Sequence, residues 1–340
     1  MSICCFISRK PLLKTVDFWQ FIYSSACPVV LLAVTGTSGA TPGKAGFKMA
    51  AAADGGLAGS IGGGALEYEL VEEARALLRM QNPEPVTKRL RLEEDAPESG
   101  GMICGGEQTV LLYPVRAEDR PVIGAIINAL TAGTSGLWSI TGAGMRWQGE
   151  AGPAGSPALD QAGKADLLYH EQIAPRDTLY IIGGGHVSLA LSQLASQLEW
   201  RIVLLDDRPG VDTLKKNQWA DEKIIAAFTG VAQHVPPGGK SWVVIMTPSH
   251  RADEEVLRRL VALPFRYLGM MASPAKAAEI LARLRAEGVA EELLQRVHTP
   301  VGLPISSHTP AEIAVSIAAQ LIQIRNQSPM PEPGMKGRDN

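Results

Sequence analysis

Cysteine is scarce in this chain: four in 340 residues, Cys4, Cys5, Cys27 and Cys104. None is spaced as CxxC and together they form no dense framework. That argues against a disulfide-stapled secreted scaffold and reads as reduced thiols in a cytoplasmic protein. An excess of one charge is also missing. The 35 acidic and 32 basic residues leave a net charge of −3, which gives no field favouring nucleic acid or an anionic membrane, so neither is expected as a partner. No stretch approaches the roughly 20 apolar residues of a membrane span. Arg9 and Lys10 do precede an apolar run over 27–34. That run is short, lies beyond Asp17 and a polar stretch, and has no small-residue cleavage site after it, which suits a first buried strand better than a signal peptide. No His, Cys and Asp residues stand at zinc spacing, and no Gly-x-Ser-x-Gly elbow is present. Metallohydrolase and serine-hydrolase readings therefore lack support. No internal repeat is visible.

What is present is enough apolar residue for two cores: 46% hydrophobic and 20% charged over a length that predicts two domains. In the first half the pattern predicts a helix over 14–25, a strand Val29–Thr35, a loop Gly36–Gly43, and a hairpin of Phe47–Ala52 with Leu57–Ile61 about Asp54-Gly55-Gly56. A helix over Ala65–Met80, strands over Lys88–Glu94, Gln108–Val115 and Gly136–Thr141, and a helix over Val122–Leu130 complete it. From Asp177 strands and helices alternate, which predicts a parallel sheet. Thr309, Pro310 and Glu312 form a helix-start signal for a last helix. The expected fold class is α/β, with an N-terminal mixed α/β domain and a C-terminal Rossmann-like doubly wound parallel sheet. The expected boundaries are 1–148 for the first domain, 149–176 for an interdomain connection, 177–326 for the second domain, and 327–340 for a disordered tail.

Four segments carry candidate chemistry. Gly183-Gly184-Gly185-His186-Val187-Ser188 follows a strand and opens a helix, in the place of a GxGxxG turn, where backbone N–H groups and the helix N-terminus can meet a phosphate. Asp206 and Asp207 stand about 20 residues on, where a carboxylate would accept from a ribose hydroxyl. The same layout is that of a doubly wound domain with a merely structural turn. Gly62-Gly63-Gly64 opens the first-domain helix, with Glu67 in its first turn; three glycines in a row need a backbone reason, such as positive φ or close approach to a ligand. Cys104 sits beside Gly105 and Gly106. A lone cysteine is commonly a small buried hydrophobe, whereas flanking amides can lower a thiol's pKa. His250, with Asp253 nearby, follows a buried strand at the ligand-binding edge of the second sheet; Ser249 as an N-cap and Asp253 as a first-turn acid explain the same residues without a ligand.

In chain order, Thr41-Pro42, Gly46-Phe47-Lys48-Met49, Gly59 through Gly64 with Glu67, and Met102-Ile103-Cys104-Gly105-Gly106 are followed by Gly183 through Ser188 and Leu205-Asp206-Asp207-Arg208. Thr247 with His250, Tyr267 through Lys276, His298 through Pro300, Gly302-Leu303 and Thr309 through Ile317 complete the set. As a set this resembles the XdhC/CoxI family of accessory proteins for molybdenum hydroxylases, most of all the aldehyde oxidoreductase maturation branch. The resemblance implies a cytoplasmic, homodimeric maturation factor without turnover of its own. Such a factor binds the molybdenum cofactor, as molybdopterin or a dinucleotide form, while a cysteine desulfurase installs the terminal sulfido ligand. It then delivers the cofactor to a molybdenum hydroxylase apoenzyme such as a xanthine dehydrogenase. Under that resemblance Cys104 meets the molybdenum or its sulfur, and Lys48 supplies charge to the anion. Gly62, Gly63, Gly64, Gly105, Gly106, Gly183 and Gly185, with Glu67, His186, Asp206 and His250, hold pterin, phosphate or nucleotide parts. Gly43 stands where the family has arginine, with Lys44 next to it, and Ala65 where some members have cysteine. The competing reading is an NAD-dependent oxidoreductase, with Asp206 on the ribose and His250 as acid–base.

Overall fold

The computed structural model describes residues 15–91, 105–149 and 167–327. The chain divides into two compact units, the first running to Pro175 and the second beginning at Arg176.

The first unit starts with α1 (Thr15–Ser24), which buries Phe18, Trp19 and Ile22. Then come β1 (Val29–Ser38), β2 (Lys48–Ala52), β3 (Leu57–Gly59), α2 (Gly64–Leu77), β4 (Val86–Arg91) and β5 (Glu107–Pro114). The five strands form an antiparallel sheet in the order β3-β2-β1-β5-β4. β1 is central, and its apolar run is buried on both faces. Val29, Leu31 and Ala33 pack with Trp19 and Tyr113, while Val30, Leu32 and Val34 pack under Leu66, Leu70 and Ala74 of α2. The period of 2 along the strand assigns alternate side chains to the two cores. The β2–β3 turn is built as its sequence predicts: the Asp54 carboxylate accepts from the Gly56 amide at 3.0 Å. α3 (Arg120–Ala132) ends at Gly133 in the left-handed conformation, which accepts a residue without a Cβ at no steric cost. β6 (Gly136–Thr141), β7 (Gly144–Gly149) and β8 (Leu167–Ile173) form a second antiparallel sheet, in the order β7-β6-β8. Trp138 and Tyr169 from this sheet share a core with α1 and α3.

Two expectations change here. Residues 167–173, expected inside the interdomain connection, are β8 of the first unit, paired along β6 from Gly136 to Thr141. The segment is polar by sequence (Leu-Leu-Tyr-His-Glu-Gln-Ile) because only one of its faces is buried. The strand expected to stop at Thr35 continues to Ser38 through an irregularity between Val34 and Gly36, because Thr109, Gln108 and Glu107 of β5 offer it partners. The expected tail, apart from Gln327 at the end of the last helix, lies outside the described residues.

The second unit comprises β9 (Thr178–Ile182), α4 (His186–Gln197), β10 (Arg201–Asp206), α5 (Asp212–Lys216), β11 (Glu222–Ile225) and β12 (Gly238–Ile245). α6 (His250–Leu260), β13 (Phe265–Met270), α7 (Pro274–Ala286), α8 (Glu291–Gln295), β14 (Val297–His298) and α9 (Pro310–Gln327) follow. All six strands are parallel, in the order β11-β10-β9-β12-β13-β14. This is the doubly wound dinucleotide-fold order, which reverses between the first strand and the fourth. Ile182, Leu205 and Ile245 face a core closed by α6 and α7, whereas Ile181, Leu204 and Val244 face α4 and α9. α9 starts as its sequence predicts: Thr309 Oγ1 accepts from the Glu312 amide, and Glu312 accepts from the Thr309 and His308 amides. Among the described residues no helix is long and apolar enough to cross a membrane.

Candidate functional site

In the first unit, three glycine-bearing segments far apart in sequence meet backbone to backbone. They are the end of β1 with the loop after it (38–43), the β3–α2 loop (60–64) and the start of β5 (105–108). A Cβ on Gly62, whose φ is +134°, would lie 2.6 Å from the Gly43 nitrogen. A Cβ on Gly106 would lie 2.2 Å from the Ala40 oxygen. One side chain ties two of these loops: Gln108, fully buried, donates from Nε2 to the Ile61 carbonyl at 2.9 Å, while its Oε1 is buried without a partner. A polar cleft of about 440 Å³ opens beside this junction, lined by Ser38, Gly39, Arg91, Gly105, Gly106 and Glu107. Cys104, which the sequence singles out, lies outside the described residues, but Gly105 and Gly106, its chain neighbours, line the cleft.

The Gly62–Gly64 loop holds an anion of its own. Glu67 Oε2 accepts from the Ser60 hydroxyl at 2.7 Å and from the Ile61 and Gly63 amides at 3.0 Å each. Burial alone would raise its pKa. The Ser60 hydroxyl and the amides outweigh that and hold the carboxyl below its usual 4.5. Glu67, expected on the ligand, therefore serves the loop itself, and of the glycine amides expected for a ligand that of Gly63 is held by Glu67 and that of Gly62 by Ser60 Oγ at 3.2 Å. Lys48 is committed in the same way. Its ammonium lies 2.6 and 2.7 Å from the two Glu171 oxygens and 2.7 Å from the Gly46 carbonyl. The pair is only 14% and 23% exposed, so the charge expected to meet an anion is matched by β8, whose sequence reads as a linker. Tyr169 donates to the same Glu171 carboxylate at 2.9 Å.

In the second unit the glycine turn sits at the point where the strand order reverses. A Cβ on Gly183, at φ +113°, would lie 2.2 Å from the Met246 oxygen at the end of β12. The turn's backbone is latched from nearby: the Gly183 amide by the Leu205 carbonyl, the Gly183 carbonyl by Ser188, and the Gly184 carbonyl by Thr213. Ser188, in place of a third glycine, is buried and acts as a clasp. His186 is exposed at the first turn of α4, and no side chain caps that helix. Its N-terminal amides keep the anion-binding character of an uncapped start.

Asp206 is fully buried. Its Oδ2 accepts from the Gly184 amide at 2.6 Å and from Arg208 Nη2 at 2.9 Å, and its Oδ1 accepts from the Arg208 amide and Nε at 2.9 Å each. Desolvation pulls its pKa up, but Arg208 and the two amides outweigh it and leave the carboxyl below its usual 3.8. Four donors fill the four lone-pair sites of a carboxylate. Where the sequence expectation has Asp206 accept from a ribose hydroxyl, the structure spends its acceptor capacity on the turn and on Arg208. Further along the same edge, His250 is exposed at the start of α6, where Ser249 is the N-cap and accepts from Ala252 at 3.3 Å. Asp253 turns inward, and its Oδ1 accepts from the Thr247 hydroxyl at 2.6 Å and amide at 2.9 Å. Burial raises its pKa against those bonds. Among the described residues no group of three or more His, Cys, Asp or Glu side chains is placed to hold a metal ion.

Comparison with known proteins agrees with this arrangement. Residues 179–321 match the XdhC Rossmann domain, and residues 23–91 match the XdhC and CoxI family. The protein named "Uncharacterized protein YqeB" of Escherichia coli (strain K12) is 27% identical over 306 residues, covering 89% of this chain but 44% of its own length. The chain thus spans less than half of that relative. A probable xanthine dehydrogenase subunit of Bacillus subtilis (strain 168) is 22% identical over 318 residues, 88% of this chain and 93% of that one. The crystal structure of a xanthine dehydrogenase from Bacillus halodurans superposes with a TM-score of 0.77 at 25% identity, covering 93% of this chain and 97% of that one. With both of its units matched in order, this chain belongs to the XdhC/CoxI family, related to xanthine dehydrogenase maturation and accessory proteins.

Proposed function

We propose that this protein is an accessory factor that binds the molybdenum cofactor, supports its sulfuration and delivers it to a molybdenum hydroxylase. The observation that carries the reading is the convergence of 38–43, 60–64 and 105–108 on one polar, glycine-lined cleft, next in chain to Cys104. The residues there fit such a group. Gly39 and Gly106 let the two backbones at the cleft close on each other, since a Cβ would lie 2.9 Å from the Gly105 oxygen and 2.2 Å from the Ala40 oxygen respectively. Arg91 brings a guanidinium, whose fork suits a phosphate, although Glu107 pairs with it at 3.8 Å and must be displaced or shared.

When bound, the cofactor supplies a soft metal centre that thiolate and sulfide ligands suit. The protein's part is to hold and shield. Gly105 and Gly106, which follow Cys104 in the chain, line the cleft, Gln108 keeps the β3–α2 loop against β5, and Glu67 holds the shape of that loop. The cysteine desulfurase and the apoenzyme belong to the proposal as partners, homodimerisation as the oligomeric state, and the cytoplasm as the place of action. The competing reading as an NAD-dependent oxidoreductase loses support from Asp206, whose lone pairs are filled, and from His250, which the Ser249 cap leaves at the surface.

The test is to purify wild type and Cys104→Ser from cells that make molybdenum cofactor, then measure bound molybdenum and the fluorescence of oxidised pterin. Loading in wild type that is lost in Cys104→Ser is the expected result. Loading that survives the substitution keeps the carrier and moves the contact to the glycine loops. Absence of pterin from the wild-type protein overturns the reading.

A further inference from the structure

The second unit carries a charged device that the carrier reading does not employ. At the end of β10, the Arg208 guanidinium is fixed in a fork on Asp206, through Nε to Oδ1 and Nη2 to Oδ2. The same Oδ2 binds the Gly184 amide at 2.6 Å, so the guanidinium stands one carboxylate away from the glycine turn. An arginine has five N–H donors. Nε and one on Nη2 are used here, and the side chain is 44% exposed, which leaves Nη1 and the second Nη2 proton open at the strand end. In a doubly wound domain this is where the substituents of an adenosine ribose arrive: a free carboxylate there reads the 2′-hydroxyl, and an arginine accommodates a 2′-phosphate.

We propose that the second unit binds a nucleotide bearing a phosphomonoester on its ribose, with Arg208 as the specificity-determining residue and Asp206 as the residue that positions it. The backbone phosphates of the ligand meet the uncapped start of α4, and the ribose phosphate meets the outer edge of Arg208. Asp206 cannot compete for the ribose, because its oxygens are filled and it is fully buried. Asp207 opposes this arrangement: its Oδ1 lies 3.7 Å from Arg208 Nε and the side chain is 40% exposed. It approaches the edge of the guanidinium that Asp206 already occupies, and water screens its charge. The proposal rests on the second unit alone and stands or falls separately from cofactor carriage by the first.

Calorimetric titration of the full chain with NADP⁺, NAD⁺, adenosine 2′,5′-bisphosphate and ADP tests it. NADP⁺ and the bisphosphate are expected to bind on the order of ten- to a hundredfold more tightly than NAD⁺ and ADP, the range for a charge-assisted pair of hydrogen bonds. Arg208→Gln is expected to erase that preference and Arg208→Lys to keep only part of it, since an ammonium retains the charge but not the fork. Should Arg208→Gln fail to fold, as judged by its circular dichroism, Arg208→Lys carries the test. Asp207→Ala is expected to tighten the phosphorylated ligands. Equal or tighter binding of NAD⁺, a preference that survives Arg208→Gln and Arg208→Lys, loss of all binding in Asp207→Ala, or no binding of any of the four nucleotides would each overturn the assignment.

Discussion

The Glu67 carboxylate accepts the amide proton of Gly63 at 3.0 Å, reaching back over the first turn of α2 to the loop that starts it. A helix start that a family-level reading assigns to a ligand's anion is thereby supplied with an anion from its own chain. The same oxygen holds Ile61 and Ser60, so one side chain defines the loop's shape. Glu67→Ala is expected to lower the stability of the first unit by about 1–3 kcal/mol, the cost of leaving such donors unmet. Glu67→Gln, which keeps an acceptor oxygen, is expected to recover part of that. Urea unfolding measures both; a Glu67→Ala midpoint equal to wild type contradicts the role.

Adjacent glycines differ in what they tolerate. A Cβ on Gly106 would lie 2.2 Å from the Ala40 oxygen, whereas one on Gly105 meets nothing within 4 Å. Gly106→Ala should therefore cost about 2 kcal/mol or more through forced backbone shifts, and Gly105→Ala about 0.5 kcal/mol or less. The same contrast holds between Gly183, against the Met246 oxygen, and Gly185, in open space at φ −73°. Thermal melts of the four alanine variants that fall into two such classes are the expected outcome.

Lys48 and Glu171 form a partly buried pair at 2.6 Å. Removing either charge leaves the other unmatched in a low-exposure site, which is costlier than removing both. Lys48→Met and Glu171→Gln should each destabilise, and the double variant should be less destabilised than their sum, with a coupling energy on the order of 1 kcal/mol. Additive effects would mean the pair contributes nothing beyond its separate side chains.

Asp206 and Asp253 predict pH effects of opposite sign. Asp206 ionises more readily in the fold than in the unfolded chain. Its stabilisation is full above the usual 3.8 and is lost as pH falls through the lower folded value. Asp253 is raised by burial. The fold there favours the protonated form, so its contribution is greatest below 3.8 and is lost as pH rises through the higher folded value. Asp206→Asn should flatten the acid side of the stability profile and destabilise at neutral pH. Asp253→Asn, which keeps the Oδ1 acceptor for Thr247, should leave neutral-pH stability unchanged or raised. Denaturation midpoints across the acid range up to neutral pH decide both.

Much of the fold is legible in residue order, because its causes are local. The strand–glycine–helix punctuation at Ile182–His186, the alternating apolar runs of β9, β10, β12 and β13, and the Thr309–Glu312 capping box all act within a few residues. The glycine turn and the capping box appear in the structure where their patterns predict them, and the apolar runs lie within strands of the parallel sheet. β8 is not legible, since Leu167–Ile173 is a half-exposed strand whose pairing with β6 depends on residues well back in the chain. The extension of β1 to Ser38 likewise depends on β5.

For the candidate site, the chain by itself determined which residue types are available: the glycines, the acids beside them and one thiol in a glycine-flanked segment. Tertiary structure decided what each acid and cation does. Glu67, Asp206 and Lys48 look like ligand contacts in one dimension because charge beside glycine is a phosphate-site pattern. In three dimensions each finds its counter-charge or donors within the protein, at Gly63, Arg208 and Glu171. A charge removed from water is paired at whatever distance in sequence the fold brings a partner, and that distance, 123 residues for Lys48 and Glu171, is invisible to local pattern.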